Sequence, residues 1–394
     1  MTVSAQETKE FETEVNSWMR ENKPANPGFI LPETFMEVGT DQQFEYLRDW
    51  QNKVYEAGYV GMAWPKEYGG GGVSQVFQDI ATKSMASHKV PFLPNTIGLN
   101  WAGPLILHMG TEADKQKYIK GILSGEDIWC QGFSEPDHGS DLGNSQCRAT
   151  KDGDEYVING SKLYITNGCQ ADWVCLLART TPGKSFKGMS LIIVPTDTPG
   201  FEVSRKLDKM GNLSSDTAEL SFENVRVPIS NRIGEEGMGF ILQMQQFQKE
   251  RLIGSVLSLG GMQKIVKMTI DYCRERKTFG QPLIDNQWIH FKISELLTEM
   301  ECLKHLNYYC ADQVIQGYDC TREVSMAKLK AGRLSREVAD ICMQFHGGMG
   351  YMEEYPMARY FRDARLMSIG GGADEIMLGI IAKLEGILPG RRKG

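Results

Sequence analysis

The chain has 394 residues, of which 41% are hydrophobic and 24% are charged, and its formal net charge at pH 7 is −7. Its length exceeds what one compact core normally holds, and its composition is that of a globular protein. The acidic balance argues against nucleic acid or an anionic membrane as the main partner, because both attract basic surfaces.

No apolar run approaches the ~20 residues that a transmembrane helix needs, so membrane insertion is not expected. The nine cysteines contain no Cys-x-x-Cys pair, and the six histidines show no metal-ligand spacing. The N-terminus lacks the pattern of a signal peptide. These features predict a cytoplasmic protein with reduced thiols and no metal site, with the mitochondrial matrix as the alternative location. His346 is expected to be a packing residue.

Residues 1–122 predict an N-terminal helical domain. The runs "KEFETEVNSWMREN" and "DQQFEYLRDWQNKVYEAGYVG" repeat apolar residues at intervals of three and four. A run of four glycines at 69–72 interrupts this pattern. Because no strand precedes the run and no Lys-Ser/Thr follows it, a flexible loop is favoured over a phosphate-binding loop.

The periodicity changes to two over residues 123–235, where short β-rich runs alternate with Gly, Pro, Asn and Asp. This pattern predicts a small antiparallel β-barrel or sandwich. Residues 236–394 return to helical periodicity and predict a four-helix bundle. Its segments are 238–275, 285–316, 321–346 and 373–387. No Gly-x-Gly-x-x-Gly follows a strand, which argues against a Rossmann domain.

Four polar or glycine-rich segments are candidate ligand-binding loops. "CQGFSEPDHGSDL" (130–142) offers hydroxyls and backbone N–H groups, and "YITNG" (164–168) places a ring and a hydroxyl two apart on one strand face. "RERKTFG" (274–280) ends a helix with basic residues suited to phosphate, and "QFHGGMGY" (344–351) permits close backbone approach. Each alone is more often structural than functional, but their order and spacing together are specific.

With these segments and the motifs "SSDTAELSFENVRVP", "ERKTFGQPL" and "GMGYMEEYPMARYFRDAR", the sequence resembles the acyl-CoA dehydrogenases over essentially its whole length. The resemblance implies an α+β multidomain fold with an N-terminal α-helical domain, a middle antiparallel β-barrel and a C-terminal four-helix bundle. It implies a homotetramer built as a dimer of dimers. It also implies FAD as the cofactor, an acyl-CoA substrate that loses its α and β hydrogens, and an electron-transfer flavoprotein as the acceptor.

The same resemblance assigns the FAD contacts. They fall on Gln131, Phe133, Ser134, Gly139, Ser140, Tyr164, Thr166, Arg276, Thr278, Phe279, Gln287, Gln344, Gly347, Gly348 and Gly372. Ser134 is expected near the reactive edge of the flavin, and Ser140 is also expected to meet the pantetheine of the substrate. Tyr164 stands where many members carry Trp. Arg276 is expected on the pyrophosphate of the neighbouring subunit's FAD.

The reaction requires a carboxylate base, for which a desolvated glutamate is suited. Many members carry this glutamate in the last loop, in a Glu-Gly-Thr-x-x-Ile pattern. Here the segment reads "GGADEI" (371–376), which puts Gly371 at the position of the base and Ala373 at that of the threonine. Asp374 and Glu375 are the nearest acids, but both belong to the helix that follows.

A minority of members carry the base on a helix, in a Glu-Arg-Leu pattern that "KERLIG" matches at Glu250. Helical spacing places Phe247, Glu250, Arg251 and Gly254 on one face. We therefore predict that Glu250 abstracts the α-proton and that Arg251 orients the helix or contacts substrate. Gly371 keeps a backbone N–H for the thioester carbonyl. The alternative is a surface glutamate paired with a lysine.

Glycine at position 371 leaves space beside the β and γ carbons of the substrate. This space predicts a branched or long acyl group, with citronellyl-CoA as the first choice and isovaleryl-CoA or a straight long chain as alternatives. Two alternatives belong to other classes. One is an acyl-CoA oxidase, and the other is a non-catalytic acyl-CoA-binding protein that the missing loop glutamate suggests.

Overall fold

A computed structural model of the protein describes residues 3–29, 40–183, 186–212 and 216–388. The chain forms two compact units, residues 1–242 and residues 243–394. The first holds helices followed by a β-sheet, and the second is mainly helical. The domain boundaries expected after residues 122 and 235 stay predictions.

The described helices of the first unit have start signals that are visible in the sequence. Ser4 and Glu7 form a capping box on the first helix, and Thr111 and Asp114 form another on the fifth. In each box two side chains accept from backbone N–H groups that the start of a helix leaves without partners. These helices are α1 (Ala5–Asn22), α2 (Asp41–Glu56), α3 (Gln75–His88), α4 (Gly103–Met109) and α5 (Glu112–Ser124).

The glycine run at 69–72 is a packed turn, which differs from the flexible loop that the sequence predicted. The backbone N–H of Gly72 donates to Trp64 O at 2.8 Å. A Cβ at Gly70 would lie 2.4 Å from the same carbonyl oxygen, so a side chain there would clash with backbone. Glycine is needed for this close approach, and no phosphate has to be invoked to explain it.

The described strands of the first unit form one sheet. Its order is β6-β7-β3-β2-β4-β5-β8, and β1 pairs with β4 off this path. The predicted sequence of helical, β and helical parts, and with it the fold class, is confirmed. The strands are β1 (Trp129–Gly132), β2 (Arg148–Asp152), β3 (Glu155–Thr166), β4 (Trp173–Arg179), β5 (Met189–Pro195), β6 (Phe201–Lys206), β7 (Thr217–Pro228) and β8 (Arg232–Ile233).

Two pairings of this sheet depart from the antiparallel expectation, because β4 runs parallel to both β1 and β2. Asp172, just before β4, secures the first of these pairings. Its carboxylate accepts from Ile128 N at 2.8 Å, and its own N–H donates to Ile128 O at 2.8 Å. Trp129 and Trp173 then stack side by side with ring centroids 5.9 Å apart. Strand β1 thereby enters the sheet in the same direction as β4.

The second unit is built around long helices that bury residues such as Met262, Leu296 and Val338. The four predicted helical segments are confirmed to within a few residues, and α9 is a short helix that the sequence did not predict. The elements are α6 (Gly239–Glu275), β9 (Lys277–Thr278), β10 (Gln281–Pro282), α7 (Gln287–Ile315), α8 (Thr321–His346), α9 (Pro356–Ala364) and α10 (Asp374–Leu384).

Within the described ranges, no helix is long and apolar enough to cross a membrane. The same ranges contain no group of three or more His, Cys, Asp or Glu side chains that could hold a metal ion. All nine cysteines are free thiols.

Candidate active site

The loop that follows β1 lies against β3 in the first unit. The backbone N–H of Leu163 donates to Ser134 O at 2.9 Å. Phe133 is buried, whereas Ser134 is half-buried and keeps part of its surface open. This contact brings Phe133 and Ser134 beside the strand that carries Tyr164 and Thr166, as a shared flavin site requires.

A buried ion pair holds this loop in place. Lys162 in β3 is 0% exposed and Glu135 is 4% exposed. Lys162 Nζ donates to Phe133 O at 3.0 Å and to Glu135 Oε1 at 2.9 Å. Glu135 also accepts from the backbone N–H groups of Gln146 and Cys147. Burial raises the pKa of Glu135, but Lys162 and these donors outweigh burial, so the pKa lies below its usual value.

Sequence reasoning missed this pair, although a signal was present. The alternation of β3 places Lys162 on the same inward face as the buried Tyr156 and Ile158. A lysine at an inward strand position requires oxygen ligands, because an unpaired buried ammonium group is costly. Its position therefore pointed to a nearby carboxylate.

Tyr164 lies in a β-bulge, which bears on one sequence-based expectation. The β3–β7 register shifts between Lys162 and Ile165, and Tyr164 has a φ of 66°. Regular alternation therefore does not set the direction of its ring, and the sharing of a strand face by Tyr164 and Thr166 stays a prediction. The ring is 64% exposed. Bulges and positive φ at large residues often accompany binding sites.

The remaining predicted residues of the first unit differ in exposure. Gln131 is half-buried within β1, paired in register with Cys175 of β4. Gly139 and Ser140 are exposed on the loop, and a Cβ at Gly139 would meet no atom within 4 Å. This part of the loop is therefore open to a ligand.

In the second unit, stacked rings join the end of α6 to the end of α8. Tyr272 stacks on His346 with ring centroids 4.3 Å apart, and its hydroxyl donates to His346 O at 3.3 Å. His346 is buried with Nδ1 2.8 Å from Cys342 O, so its predicted packing role is confirmed. Burial lowers the pKa of His346. The backbone N–H of Arg276 donates to Tyr272 O at 2.8 Å, which ties the basic segment to this cluster.

The predicted adenosine residues gather near the same end of α8. Trp288, next to Gln287 in the sequence, packs edge-on against Phe345, which is next to Gln344, with ring centroids 5.1 Å apart. Gln287 and Gln344 are exposed. Beyond them lie the exposed Gly347 and Gly348, and a Cβ at either glycine would meet no atom within 4 Å, so the surface is open there.

The β9–β10 hairpin presents Thr278 and Phe279 at its tip. Phe279 is 106% exposed and has a φ of 51°, a left-handed conformation that is unfavourable for a bulky residue. A strained and fully exposed phenylalanine is typical of a segment that meets a ligand or a second chain.

Glu250 is half-buried on α6, and the amide of Gln243 donates to its Oε1 at 3.2 Å. Gln243 is 1% exposed and lies two turns earlier on the same helix. The Arg251 guanidinium lies over the Phe247 ring at 5.6 Å, as the predicted shared face requires. Glu250 thus sits on a helix face that combines an aromatic ring with a glycine at position 254.

The glycine loop 370–372 contacts this helix. Arg251 Nε donates to Gly371 O at 3.3 Å. Gly371 and Gly372 have φ values of 65° and 99°, and a Cβ at Gly372 would lie 2.7 Å from Met377 Cε. Burial lowers the pKa of Arg251, with partial compensation by Glu250. The structure therefore brings the helix that carries Glu250 to the loop that holds Gly371.

Lys328 is a further residue at this loop that sequence reasoning missed. It is 1% exposed on α8, and its Nζ donates to Gly372 O. The signal was its position among Val324, Ala327 and Ala331, which share the buried face of α8 at helical spacing.

Three family models match consecutive parts of the chain. They are the acyl-CoA dehydrogenase N-terminal domain over residues 30–126, the middle domain over 130–225 and the C-terminal domain over 237–385. The chain belongs to the acyl-CoA dehydrogenase family. Members of this family are FAD-dependent oxidoreductases.

Individual proteins agree with the family assignment. An acyl-CoA dehydrogenase of Bacillus subtilis is 36% identical over 88% of this chain and 91% of its own length. A mitochondrial isovaleryl-CoA dehydrogenase of Oryza sativa is 34% identical over 82% of this chain and 79% of its own length. The crystal structure of an acyl-CoA dehydrogenase from Geobacillus kaustophilus has a TM-score of 0.84 and 32% identity, covering 97% of this chain and 98% of its own.

The residues present fit FAD. The half-buried Ser134 and Thr166 offer hydroxyls beside the buried Phe133, as contacts to a flavin ring require. The open Gly347 and Gly348 allow close approach of a nucleotide to the backbone. The predicted contacts remain assignments by resemblance, and each unit supplies a surface of suitable chemistry.

The buried Lys162–Glu135 pair makes a testable contribution to stability. Replacing Lys162 by Met leaves Glu135 buried without its cation, which we expect to lower the free energy of unfolding by about 3–5 kcal/mol. Urea titration followed by circular dichroism at fixed FAD concentration measures the change. Because the pKa of Glu135 is lowered, the loss is present at neutral pH and shrinks as the pH falls below the ordinary carboxyl value of 4.5.

The matched control is Lys151→Met, which removes a lysine from the ion pair with Glu236. Lys151 is 47% exposed, so its loss is expected to cost less than about 1 kcal/mol. Equal losses for both variants at pH 7 would show that burial does not strengthen the Lys162 pair.

Proposed function

We propose that this acyl-CoA dehydrogenase acts on a branched or long acyl-CoA and uses Glu250 as its base. The observation that carries the proposal is the contact between Arg251 and the loop that holds Gly371. The adjacent residue on the helix is a half-buried carboxylate, whereas position 371 has no side chain. A carboxylate on α6 can therefore act as the base in place of a side chain at position 371, where the loop has glycine.

Glu250 takes the proton from the α-carbon, and its carboxylate becomes a carboxylic acid. The electron pair left on the α-carbon becomes the second bond between the α and β carbons. FAD, when bound, supplies the acceptor for the β-hydrogen, which leaves as hydride. The backbone N–H of Gly371 binds the thioester oxygen, on which negative charge develops as the proton leaves. Gln243 holds the carboxylate of Glu250 in place.

Arg251 supports this mechanism as an orienting residue. Its guanidinium is engaged with Gly371 O and with the Phe247 ring, so it links the base-bearing helix to the loop. The alternative role of Glu250, a surface carboxylate paired with a lysine, is less well supported. The adjacent Lys249 is exposed, while Glu250 is half-buried beside the buried amide of Gln243.

Substrate choice rests on the space at Gly371. Among the described residues other than its chain neighbours, no atom lies within 4 Å of the position that a Cβ would occupy there. A branched chain such as that of citronellyl-CoA, a compound of bacterial acyclic terpene breakdown, can use this space. The similarity to an isovaleryl-CoA dehydrogenase favours isovaleryl-CoA as the second candidate.

We further propose an electron-transfer flavoprotein as the acceptor, a homotetramer built as a dimer of dimers, and the bacterial cytoplasm as the location. The exposed Phe279 supports a contact between subunits, as do Trp288 and Phe291 on α7, each 56% exposed. Large apolar side chains grouped on one surface are typical of an interface that another chain covers.

Anaerobic titration of the FAD-loaded protein with citronellyl-, isovaleryl- and palmitoyl-CoA tests substrate class. We expect citronellyl-CoA to bleach the flavin absorbance at the lowest concentration. Bleaching by palmitoyl-CoA alone would contradict the branched substrate, and no bleaching by any thioester would indicate a binding protein. Rapid recolouring in air without an added acceptor would indicate an oxidase.

Replacing Glu250 by Gln tests the base. The amide keeps the size of the side chain but cannot take a proton, so kcat is expected to fall by about 10²–10⁴-fold while FAD stays bound. Lys249→Gln is the matched control on the exposed side of α6, and it should keep the wild-type rate. A Glu250→Gln enzyme that retains more than a few per cent of this rate defeats the assignment.

The double variant Gly371→Glu with Glu250→Gly tests whether the two positions are interchangeable. Position 371 has space for a side chain, but its φ of 65° costs an L-residue roughly 1–2 kcal/mol. We therefore expect activity roughly tenfold or more below wild type, yet clearly above that of Glu250→Gly alone. Equal activities of the single and double variants would contradict a shared substrate position.

A further inference from the structure

The loop at 370–372 has an unusual requirement, because it must be ordered although it consists of three consecutive glycines. Glycine has the largest backbone freedom of any residue. Gly371 and Gly372 both have positive φ, so this segment adopts one specific conformation out of many. A donor supplied by this loop can hold a substrate oxygen only if other contacts fix that conformation.

Two cationic side chains supply these contacts from different helices. Arg251 of α6 donates to Gly371 O at 3.3 Å, and Lys328 of α8 donates to Gly372 O. Each peptide group is planar, with its C=O and the next N–H pointing in opposite directions. Hydrogen bonds to both carbonyls therefore orient the peptide planes 371–372 and 372–373. The relative orientation of these two planes sets the φ and ψ angles of Gly372.

The surroundings of Lys328 explain why its hydrogen bond goes to a carbonyl. Its charged neighbours are Asp374 and Glu375 of α10 and Arg251 of α6. Asp374 itself accepts from Arg336 Nη2 at 3.3 Å, and Arg333 Nε lies 3.7 Å from it. The nearest carboxylate is thus shared with two arginines.

The packing of α8 against the loop is also tight. A Cβ at Gly332, one turn after Lys328, would lie 2.9 Å from Ser368 Oγ and 3.0 Å from Met367 O. The lysine therefore reaches the loop from a helix that is held close to it. An apolar residue in its place would leave the carbonyl of the half-buried Gly372 without this donor.

We propose that Lys328 is a positioning residue for the reaction, which holds the 371–373 backbone and thereby fixes the place of the Gly371 Cα, whose own N–H meets the thioester oxygen. This role rests on the proposed function and adds a residue that the family resemblance did not assign. Lys328 does not touch the reacting atoms. It acts through the glycine backbone, and the two cations behind the carbonyls also polarise the peptide groups.

The role has a pH signature. Burial and the nearby Arg251 lower the pKa of Lys328, against the opposing effect of Asp374 and Glu375, and the pKa lies at about 8. The ammonium group is therefore mostly charged at neutral pH and loses its proton as the pH rises above 8. A neutral amine is a weaker donor to the Gly372 carbonyl, so the loop is expected to loosen in alkaline solution.

The first measurement is hydrogen exchange of the 369–377 backbone in the FAD-loaded protein without substrate, corrected for the intrinsic effect of pH. We expect protection of the Gly370 and Met377 N–H groups, which donate to Leu366 O and Ala373 O at the two ends of the loop, to fall by about tenfold between pH 7 and pH 9.5, following loss of the Lys328 proton. Lys328→Met should show low protection at both pH values. Lys330→Met, a surface lysine two residues along α8 that pairs with Glu299, should behave like wild type.

The second measurement is the pH profile of kcat and KM. Wild-type kcat should fall above pH 8 and level off at about one tenth of its value at pH 7, and Lys328→Met should lose about tenfold in kcat at pH 7, with little change in KM. Lys328→Arg should remove the alkaline fall, because arginine stays charged. A Lys328→Met enzyme that keeps both the wild-type rate and its alkaline fall overturns the proposal.

The exchange measurement stays decisive if a variant fails to bind FAD, because the wild-type protein alone reports the loop. Protection at Gly370 and Met377 that does not change between pH 7 and pH 9.5 contradicts the role of Lys328. If wild type turns over no acyl-CoA but the loop loosens as expected, the proposed function fails and the contact of Lys328 with the loop stands.

Discussion

A lysine buried in a protein interior needs oxygen atoms to replace its lost water, and this constraint shapes the candidate site in both units of the chain. Lys162 and Lys328 are among the largest fully buried side chains of the described residues. Lys162 binds Phe133 O and the Glu135 carboxylate, and Lys328 binds Gly372 O. In each case the acceptors include a backbone carbonyl of a functional loop. The cost of burying the charge is thus offset by contacts that order a segment without regular structure.

The two lysines differ in how completely their charge is balanced. Lys162 has a carboxylate partner, Glu135, whose pKa is lowered, so this carboxylate keeps its charge to a lower pH than an ordinary glutamate. Lys328 binds a neutral carbonyl, and its pKa falls to about 8. The loop after β1 is therefore held by an ion pair, whereas the glycine loop is held by a charge that alkaline solution is expected to remove. We therefore expect the two loops to respond to pH in different ways.

Backbone strain marks the surfaces where ligands or other subunits are expected. Tyr164 and Phe279 both have positive φ, and both rings are largely exposed. A bulge explains the first and a tight hairpin explains the second. Both conformations are costly for bulky residues, which argues that the exposed rings serve binding rather than the stability of the isolated chain. The half-buried carboxylate of Glu250 is also less favourable for the stability of its helix than an apolar side chain would be, which again argues for a role in binding or catalysis.

The order of helical, β and helical segments, the long helices and the family follow from local patterns, because hydrophobic periodicity and short motifs are properties of neighbouring residues. The same holds for Glu250, which a three-residue motif and the glycine at 371 indicated together. The parallel pairings of β4, the bulge at Tyr164 and the partners of Lys162 and Lys328 could not be derived in this way. Each depends on which distant backbone atom lies opposite a given side chain, and only the packed tertiary structure decides that.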